Sequence, residues 1–412
     1  MSYPRNKLGD YIEVLSGFAF KSKDFSDSGV PVIKIKNISP PVVTLEDVSY
    51  VPESIAFQNA RYILKKGDVL IALTGSHINQ IASVVGRVGR VRYDETSVLN
   101  QRVGKIINKD DRVSNLDFIY YYLSQFDVKV ELAQKAGGAA NQANISPSDI
   151  KDLHFPCPPI DIQNKIAEVL SRYDALIENY QRQIKLLEEA AQRLYKEWFV
   201  DLRFPGHQST PIINNLPQGW EIQSITNSDY FNFAKCRITP FYGVKSYYAT
   251  ADVENTYFAN KGTLIEYENK PSRAQIQPSK HSVWFARMSK TYKIIGFSES
   301  NERRRKNAIL SSGFAGFECE PSIFAYLYCL ISSEWFNSQK DIFATGATQV
   351  SITNEGLSMI KFKCPERKLV LAFSEKVNNM IEEIFSLREN CVLLSEAQDR
   401  LLPKLMSAEI EV

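Results

Sequence analysis

The sequence predicts an α+β chain. Two β-rich mixed domains are joined by two long antiparallel helices that form an intramolecular coiled coil, and the whole is an internal repeat with pseudo-two-fold symmetry. Three observations predict it. The stretch FPCPPIDIQNKIAEVL at 155–170 is echoed by FKCP at 362–365, and both launch long amphipathic runs. One shift, from Cys157 to Cys364, also carries Ile145 to Ile352, Phe155 to Phe362, Pro158 to Pro365, Glu168 to Glu375 and Leu187 to Leu394. Within each run the apolar residues recur in steps of four and three, which is the heptad signal of a coiled coil.

The expected order is a first domain at 1–153, a central helix at 154–206, a second domain at 207–360 and a C-terminal helix at 361–412. In the first domain VPVIKIKNIS (30–39) alternates apolar and polar residues as a half-buried strand does. KKGDVLIALTGS (65–76) predicts a turn, a buried strand and a polar loop, and VVGRVGRV (84–91) and SVLNQRVGKII (97–107) predict further strands. LDFIYYYLSQF (116–126) predicts a helix.

The central helix carries Ile166, Leu170, Tyr173, Ile177, Tyr180, Ile184, Leu187, Ala191, Leu194 and Trp198 on its seam. Pro158, Pro159 and an N-cap Asp161 are expected to fix its start, and Pro205-Gly206 its end. At about 1.5 Å per residue this seam is a rod of roughly 48 Å. In the second domain HSVWFARMSK (281–290) stands where GDVLIALTGS stood, AILSSGFAGFE (308–318) near the place of SVLNQRVGKI, and SIFAYLYCLISSEWF (322–336) repeats the helix. The C-terminal helix, opened by Pro365-Glu366, repeats the seam as Phe373, Val377, Met380, Ile384, Leu387, Cys391, Leu394, Gln398, Leu401 and Leu405. Only Gln398 breaks the apolar pattern, and Pro403 is expected to kink or end the helix. Two seams within one chain pair most simply with each other; pairing between chains, giving a homodimer, is the alternative.

Composition narrows the function. Lys plus Arg total 49 against 47 Asp plus Glu, so the net charge of +2 excludes a histone-like tail but leaves room for local basic faces. The N-terminus, MSYPRNKLGD, lacks a signal-peptide apolar region, and no apolar run approaches the roughly 18 residues of a membrane span. The six cysteines form no C-x-x-C pair and suit free thiols of a reducing compartment, so a cytoplasmic protein with no membrane partner is expected.

Catalytic motifs are missing. There is no phosphate loop, H-E-x-x-H or G-x-S-x-G, and His77, His154, His207 and His281 have no metal-ligand spacing. Gly86-Arg87-Val88-Gly89 is too little for a cofactor loop, and Cys157-Pro158-Pro159 lacks the Asn or Asp and the aromatic residue of an N-P-P-Y methylase signature. Neither a catalytic residue nor a metal ligand is expected.

Nucleic-acid chemistry is better represented. Lys34, Lys36 and Asn37 in KIKN would put two cations on one strand face, suited to backbone phosphates. TGSHINQ (74–80) offers Ser76, His77, Asn79 and Gln80, and amide side chains can bond adenine bidentately in the major groove. Its counterpart ARMSKTYK (286–293) offers Arg287, Ser289, Lys290 and Lys293, and NERRRKN (301–307) packs Arg303, Arg304, Arg305 and Lys306 together. The small-residue loops GGAANQANIS (137–146), with Asn141, Gln142 and Asn144, and TGATQVSIT (345–353), with Thr348 and Gln349, can approach a backbone closely. Any one of these could be a solvated turn; their shared placement in both halves favours a joint role. Val169, Leu176, Leu186, Ile381 and Phe385, with Tyr195, Phe199, Val370 and Val392, are apolar residues off the seam. They would dock a partner protein or pack on the two domains.

This layout resembles the specificity subunit of Type I restriction–modification enzymes along its whole length. The resemblance is carried by Gln142-x-Asn144-Ile145-Ser146, by FPCPPIDIQNKIAEVL and its C-terminal copy, by LGDYIEVLSGFAFKS (8–22), VIKIKNIS (32–39) and GDVLIA (67–72), and by LPQGW (216–220). Lys280-His281-Ser282 replaces the family's Gly-Asp, and Gln349-Val350-Ser351-Ile352-Thr353 is a degenerate copy. The resemblance implies two target-recognition domains, each reading half of a split site in double-stranded DNA. It implies paired helices that set the spacer and dock two modification subunits, which carry S-adenosylmethionine and methylate adenine. Restriction subunits using ATP and magnesium would join them, and this chain would hold no cofactor itself. Two readers on one DNA face need a separation of about one helical turn, roughly 34 Å, which a rod of the length above can supply. A free-standing duplicated architectural DNA-binding protein, and a nuclease with a dispersed site, are the rival readings.

Overall fold

The computed structural model describes residues 3–76, 85–137, 143–347 and 349–412. The chain divides into two compact units, Met1–Leu176 with Leu394–Val412, and Ile177–Leu393.

The first unit holds a six-stranded sheet in the spatial order Ile12–Ser16, Val103–Asn108, Val69–Ala72, Val88–Val91, Val42–Val43 and Ile38–Ser39. Beside it is a four-stranded sheet, Ser49–Val51, Val30–Ile33, Ser97–Leu99 and Ile63–Leu64. Val69–Ala72 is buried at every position, which is why it is apolar throughout instead of alternating. Its turn is set by Gly67, with φ of 94°, and by Asp68, whose Oδ2 accepts the Lys65 amide at 2.8 Å. Asn115 caps the helix Leu116–Ser124 by accepting the Phe118 amide at 3.0 Å, and the buried run from Phe118 to Leu123 packs into the core.

The second unit repeats the order of the first four strands of the larger sheet and of the smaller sheet. One sheet runs Phe231–Phe233, Phe314–Cys319, Ser282–Ala286, Ile294–Phe297; the other runs Thr263–Ile265, Lys245–Tyr248, Ala308–Ser311, Ala274–Ile276. Each unit has one parallel pair inside its four-stranded sheet, Val30–Ile33 with Ser97–Leu99 and Lys245–Tyr248 with Ala308–Ser311. The Gly-Asp turn is replaced in sequence but kept in shape: His281 takes a left-handed φ of 50° where Gly67 does. A β-carbon makes that backbone costlier, by roughly 1–2 kcal/mol, so packing of the histidine against Phe324, with ring centroids 5.9 Å apart, works against strain.

The two long helices are Ile160–Tyr195 and Arg367–Met406, and they run antiparallel in both units. In the first, Gln398 Nε2 donates to Leu170 O at 3.2 Å and Lys165 Nζ to Val412 O at 3.4 Å. In the second, Cys391 Sγ lies 4.0 Å from Ile177 O, and the Tyr195 and Phe373 rings are 6.1 Å apart. Every expected seam residue is buried or half-buried. The unit boundary falls inside both helices, at Leu176/Ile177 and Leu393/Leu394. No helix among the described residues is long and apolar enough to cross a membrane.

Several local expectations need correction. The strand foreseen over 30–39 stops at Ile33; Ile35–Asn37 is a 3-10 turn before the short strand Ile38–Ser39. The central helix starts at Ile160, with the Ile162 and Gln163 amides on Pro159 O at 2.9 and 3.1 Å, so Asp161 lies in the first turn and is not the cap. That helix also ends before Pro205-Gly206. A π-turn at Lys196–Val200 leads to Leu202 with φ of 58°, and the Arg203 amide returns to Glu197 O at 2.8 Å. Pro403 does not end the second helix, which continues to Met406. So near the terminus a proline forfeits a single ladder bond, while Leu405 and Met406 bury fully in the first unit's core.

Candidate nucleic-acid interface

In the first unit a relay of backbone hydrogen bonds joins three chain segments. The Leu73 amide donates to Arg102 O and the Ile145 amide to Leu73 O, both at 2.9 Å. Gly137 and Asn144 exchange amide bonds at 3.1 and 2.9 Å across the small-residue loop, and Asn144 pairs with Thr74 across the strands. Ser146 then caps a short helix in a capping box with Asp149.

The second unit repeats each step. Arg287 N donates to Gly313 O and Ile352 N to Arg287 O, both at 2.9 Å, while Thr345 and Ser351 exchange amide bonds at 3.0 Å. Ser351 bridges Met288, and Thr353 caps the next helix through the Gly356 amide at 3.0 Å. Gly346 is required here, because its φ is 134° and a Cβ would lie 2.5 Å from Gln349 O. The described parts of the segments singled out, 74–76 with 137 and 143–146, and 286–293 with 345–347 and 349–353, are therefore brought together, once in each unit.

The individual side chains divide. Asn37 is 1% exposed and committed, its Oδ1 accepting the Lys34 amide at 3.0 Å and its Nδ2 donating to Glu46 O at 2.8 Å. It braces the 3-10 turn and is too buried to meet a base, which corrects its placement among the DNA contacts. Lys34 donates to Ser49 Oγ at 2.8 Å and sits over the Phe25 ring at 4.4 Å; burial, then the neighbouring Lys36, lowers its pKa. Since the strand ends before them, Lys34 and Lys36 share no strand face, and Lys36 is the exposed one. Ser76 is buried at 9% exposure, with its carbonyl accepting the Val85 amide at 3.0 Å. Asn144 is exposed, and its Oδ1 accepts from Thr74 Oγ1 at 2.9 Å. His77, Asn79, Gln80, Asn141 and Gln142 lie outside the described residues, as does Thr348.

In the second unit the half-buried Arg287 clamps the neighbouring segment: Nη1 donates to Ile352 O at 3.0 Å and Nη2 to Asn354 Oδ1 at 2.7 Å, and burial lowers its pKa. Lys293 donates to Thr250 O at 2.8 Å. The half-buried Ser289 gives its amide to Val350 O at 3.0 Å. Lys290 and Gln349 are exposed. Glu302–Asn307 is one helical segment in which only part of the basic run faces water freely. Arg304 pairs with Glu389 and lies over Phe258, and Arg305 holds Glu302 at 2.7 and 2.9 Å. That contact brings the Glu302 carboxyl down to about 2. Arg303 and Lys306 remain exposed, Lys306 with its Nζ 3.4 Å from Glu302 Oε1.

Sequence reasoning missed what holds the second loop. Lys340, 2% exposed on the helix Glu334–Ile342, points Nζ at Met288 O (3.1 Å) and Thr291 O (2.5 Å), and burial lowers its pKa. Next to it Asp341 Oδ1 accepts the amide of Lys290, whose φ is 57°. The turn that presents Lys290 is thus fixed by two adjacent residues about fifty positions away. The only sequence signal was a Lys-Asp pair among many others.

The partner-docking residues also divide. Ile381 and Phe385 are 0% and 2% exposed, and Phe385 packs on Phe324 and Tyr328. They belong to the second unit's own core, which corrects their assignment to a partner. Val169 is half-buried on the first unit's core, while Leu176 and Leu186 are 36% and 65% exposed.

A family model described as the Type I restriction modification DNA specificity domain matches residues 5–189. The MjaIX Type I restriction enzyme specificity subunit of Methanocaldococcus jannaschii is 27% identical over 98% of this chain and 93% of its own length. A second protein of that organism, the putative MjaX specificity subunit, is 22% identical over 98% of this chain and 93% of its own length. In three dimensions the chain is similar to the crystal structure of a Type-I restriction-modification system S subunit from M. genitalium. The TM-score is 0.57 at 14% identity, covering 98% of this chain and 96% of that one. Residues 5–189 thus match the specificity domain, and along nearly its whole length the chain is similar to Type I restriction-enzyme specificity subunits.

Proposed function

We propose that this chain is the non-catalytic sequence-specificity subunit of a Type I restriction–modification complex, acting in the cytoplasm. Each unit reads one half of a bipartite site in double-stranded DNA. The paired helices set the gap between the halves and dock two modification subunits. The observation that carries this is the duplication of one loop scaffold: the same strand order and the same Leu73/Arg287-centred relay recur, while the side chains offered at the tips differ. A constant frame with variable tips suits two readers of unlike sequence, because backbone contacts orient and base contacts specify. Exposed Lys36, Asn144, Lys290, Arg303, Lys306 and Gln349 are the described side chains best placed to touch DNA. S-adenosylmethionine belongs to the modification subunits, and ATP and magnesium to restriction subunits that join them. Leu176 and Leu186 are the docking residues favoured by exposure.

The test is to co-express the chain with the modification subunit of its own system and sequence the methylated adenines. One split motif with an unspecified gap, lost when this chain is omitted, is the expected result. Methylation that is unaffected by the omission would overturn the proposal.

A further inference from the structure

The two relays differ at one point, and the difference is chemical. In the first unit the residue whose carbonyl receives the Leu73 amide is Arg102, at the corner where Ser97–Leu99 of one sheet passes into Val103–Asn108 of the other. In the second unit the equivalent corner, between Ala308–Ser311 and Phe314–Cys319, offers Gly313. The equivalence is fixed by register: Ala72 pairs with Val103 as Ala286 pairs with Phe314. Gly313 has no side chain, yet the place is not empty of charge. A Cβ built on it would stand 3.2 Å from Nη2 of Arg273, which lies in the turn just before the strand Ala274–Ile276 and whose carbonyl accepts the Ser312 amide at 2.8 Å. Both arginines are exposed. An exposed arginine thus stands at the sheet corner in both units, supplied from non-equivalent chain positions.

We infer that Arg102 and Arg273 are matched DNA-phosphate contacts, one per unit, each set at the sheet corner that receives the Leu73 or Arg287 amide. This rests on the DNA-binding reading proposed above and adds two residues to it. A solvated arginine with no ligand has no reason to be supplied from a different segment when the local residue is glycine. A phosphate contact has one, because it sets the register of the reading loop on the duplex. Arginine suits this better than lysine in geometry, but either supplies the charge.

The experiment measures binding of the full-length chain to a mixed-sequence duplex of roughly 40 base pairs by fluorescence anisotropy, between 50 and 200 mM salt. Each phosphate contact contributes about 0.9 to the slope of log affinity against log salt. Arg102→Ala and Arg273→Ala should therefore each lower the slope by about 0.9. Over this fourfold salt range, that shrinks the salt-induced loss of affinity by about 3.5-fold per variant. Arg102→Lys and Arg273→Lys should keep the wild-type slope. Gly313→Arg placed in the Arg273→Ala background should restore it by supplying the charge from the first unit's position. Wild-type slopes in both alanine variants, with normal folding by circular dichroism, would overturn the inference while leaving DNA binding intact. A wild-type chain that binds no duplex at 50 mM salt would overturn the DNA reading, and the inference with it.

Discussion

Lys340 shows how a buried residue can control an exposed one. Its ammonium is buried and directed at the Met288 and Thr291 carbonyls, so the turn bearing Lys290 is held by charge-assisted bonds from a helix instead of by its own sequence. Such bonds are worth about 1.5–3 kcal/mol each when a charge is involved. Replacing Lys340 with methionine keeps the stem and removes the donors. Amide hydrogen exchange at 288–293 should then accelerate by at least about tenfold, equivalent to about 1.4 kcal/mol of local protection, with exchange in the first unit unchanged. Equal exchange in both proteins would mean that the turn is held by Thr291 Oγ1 on Met288 O and by Asp341 alone.

At the scale of the helices, the break in the heptad pattern proves to be a connection. Gln398 Nε2 donates to Asp174 Oδ1 at 2.7 Å, and the Asp174 Oδ2 also accepts from Tyr121 at 2.7 Å and Arg92 at 3.3 Å. Asp174 is 8% exposed, so this carboxylate depends on its donors. The second unit has a counterpart built from other residues. Arg388 pairs with Glu188, Thr256 joins both, and Tyr328 lies against Arg388 at 3.5 Å. Each network ties the helix pair to its own unit. Gln398→Leu would complete the apolar seam, and a seam-only account expects a more stable protein. The network predicts the opposite: a loss of about 1–3 kcal/mol for a buried carboxylate deprived of a donor, read as a lower denaturation midpoint of the full chain in urea.

For the whole molecule, the proposal assigns recognition to the units and spacing to the helices, and the two can be separated. Removing one heptad from both helices, with the seam phase preserved, should change the number of unspecified bases between the two halves of the methylated motif and leave both halves intact. Methylation mapping in cells carrying the shortened chain checks this. A change in the specified bases with an unchanged gap would show that the helices do not act as the spacer. Charged substitutions serve as a control on interpretation. At Ile381 or Phe385 they would strike the second unit's core, where burying one such side chain contributes about 1.5–3 kcal/mol, and the result would be unfolding, not a docking defect.

The sequence by itself determined the duplication, the two heptad seams and the order of strands around them, because burial periodicity is a local property that survives divergence of loops. It also singled out the segments 74–80, 137–146, 286–293 and 345–353 through the repeat, while the fold alone brought their described parts together. What only the tertiary structure decided is which polar groups are spent inside the fold. Asn37, Arg287, Arg304 and Arg305 look like free ligands in the chain but are held by Glu46, Ile352, Glu389 and Glu302. Arg102 and Arg273 carried no motif and became a pair only when two sheet corners were compared. The physical reason is that a side chain's availability depends on the acceptors folded against it, most of them tens to hundreds of residues away, whereas a helix or strand face is set by its own neighbours.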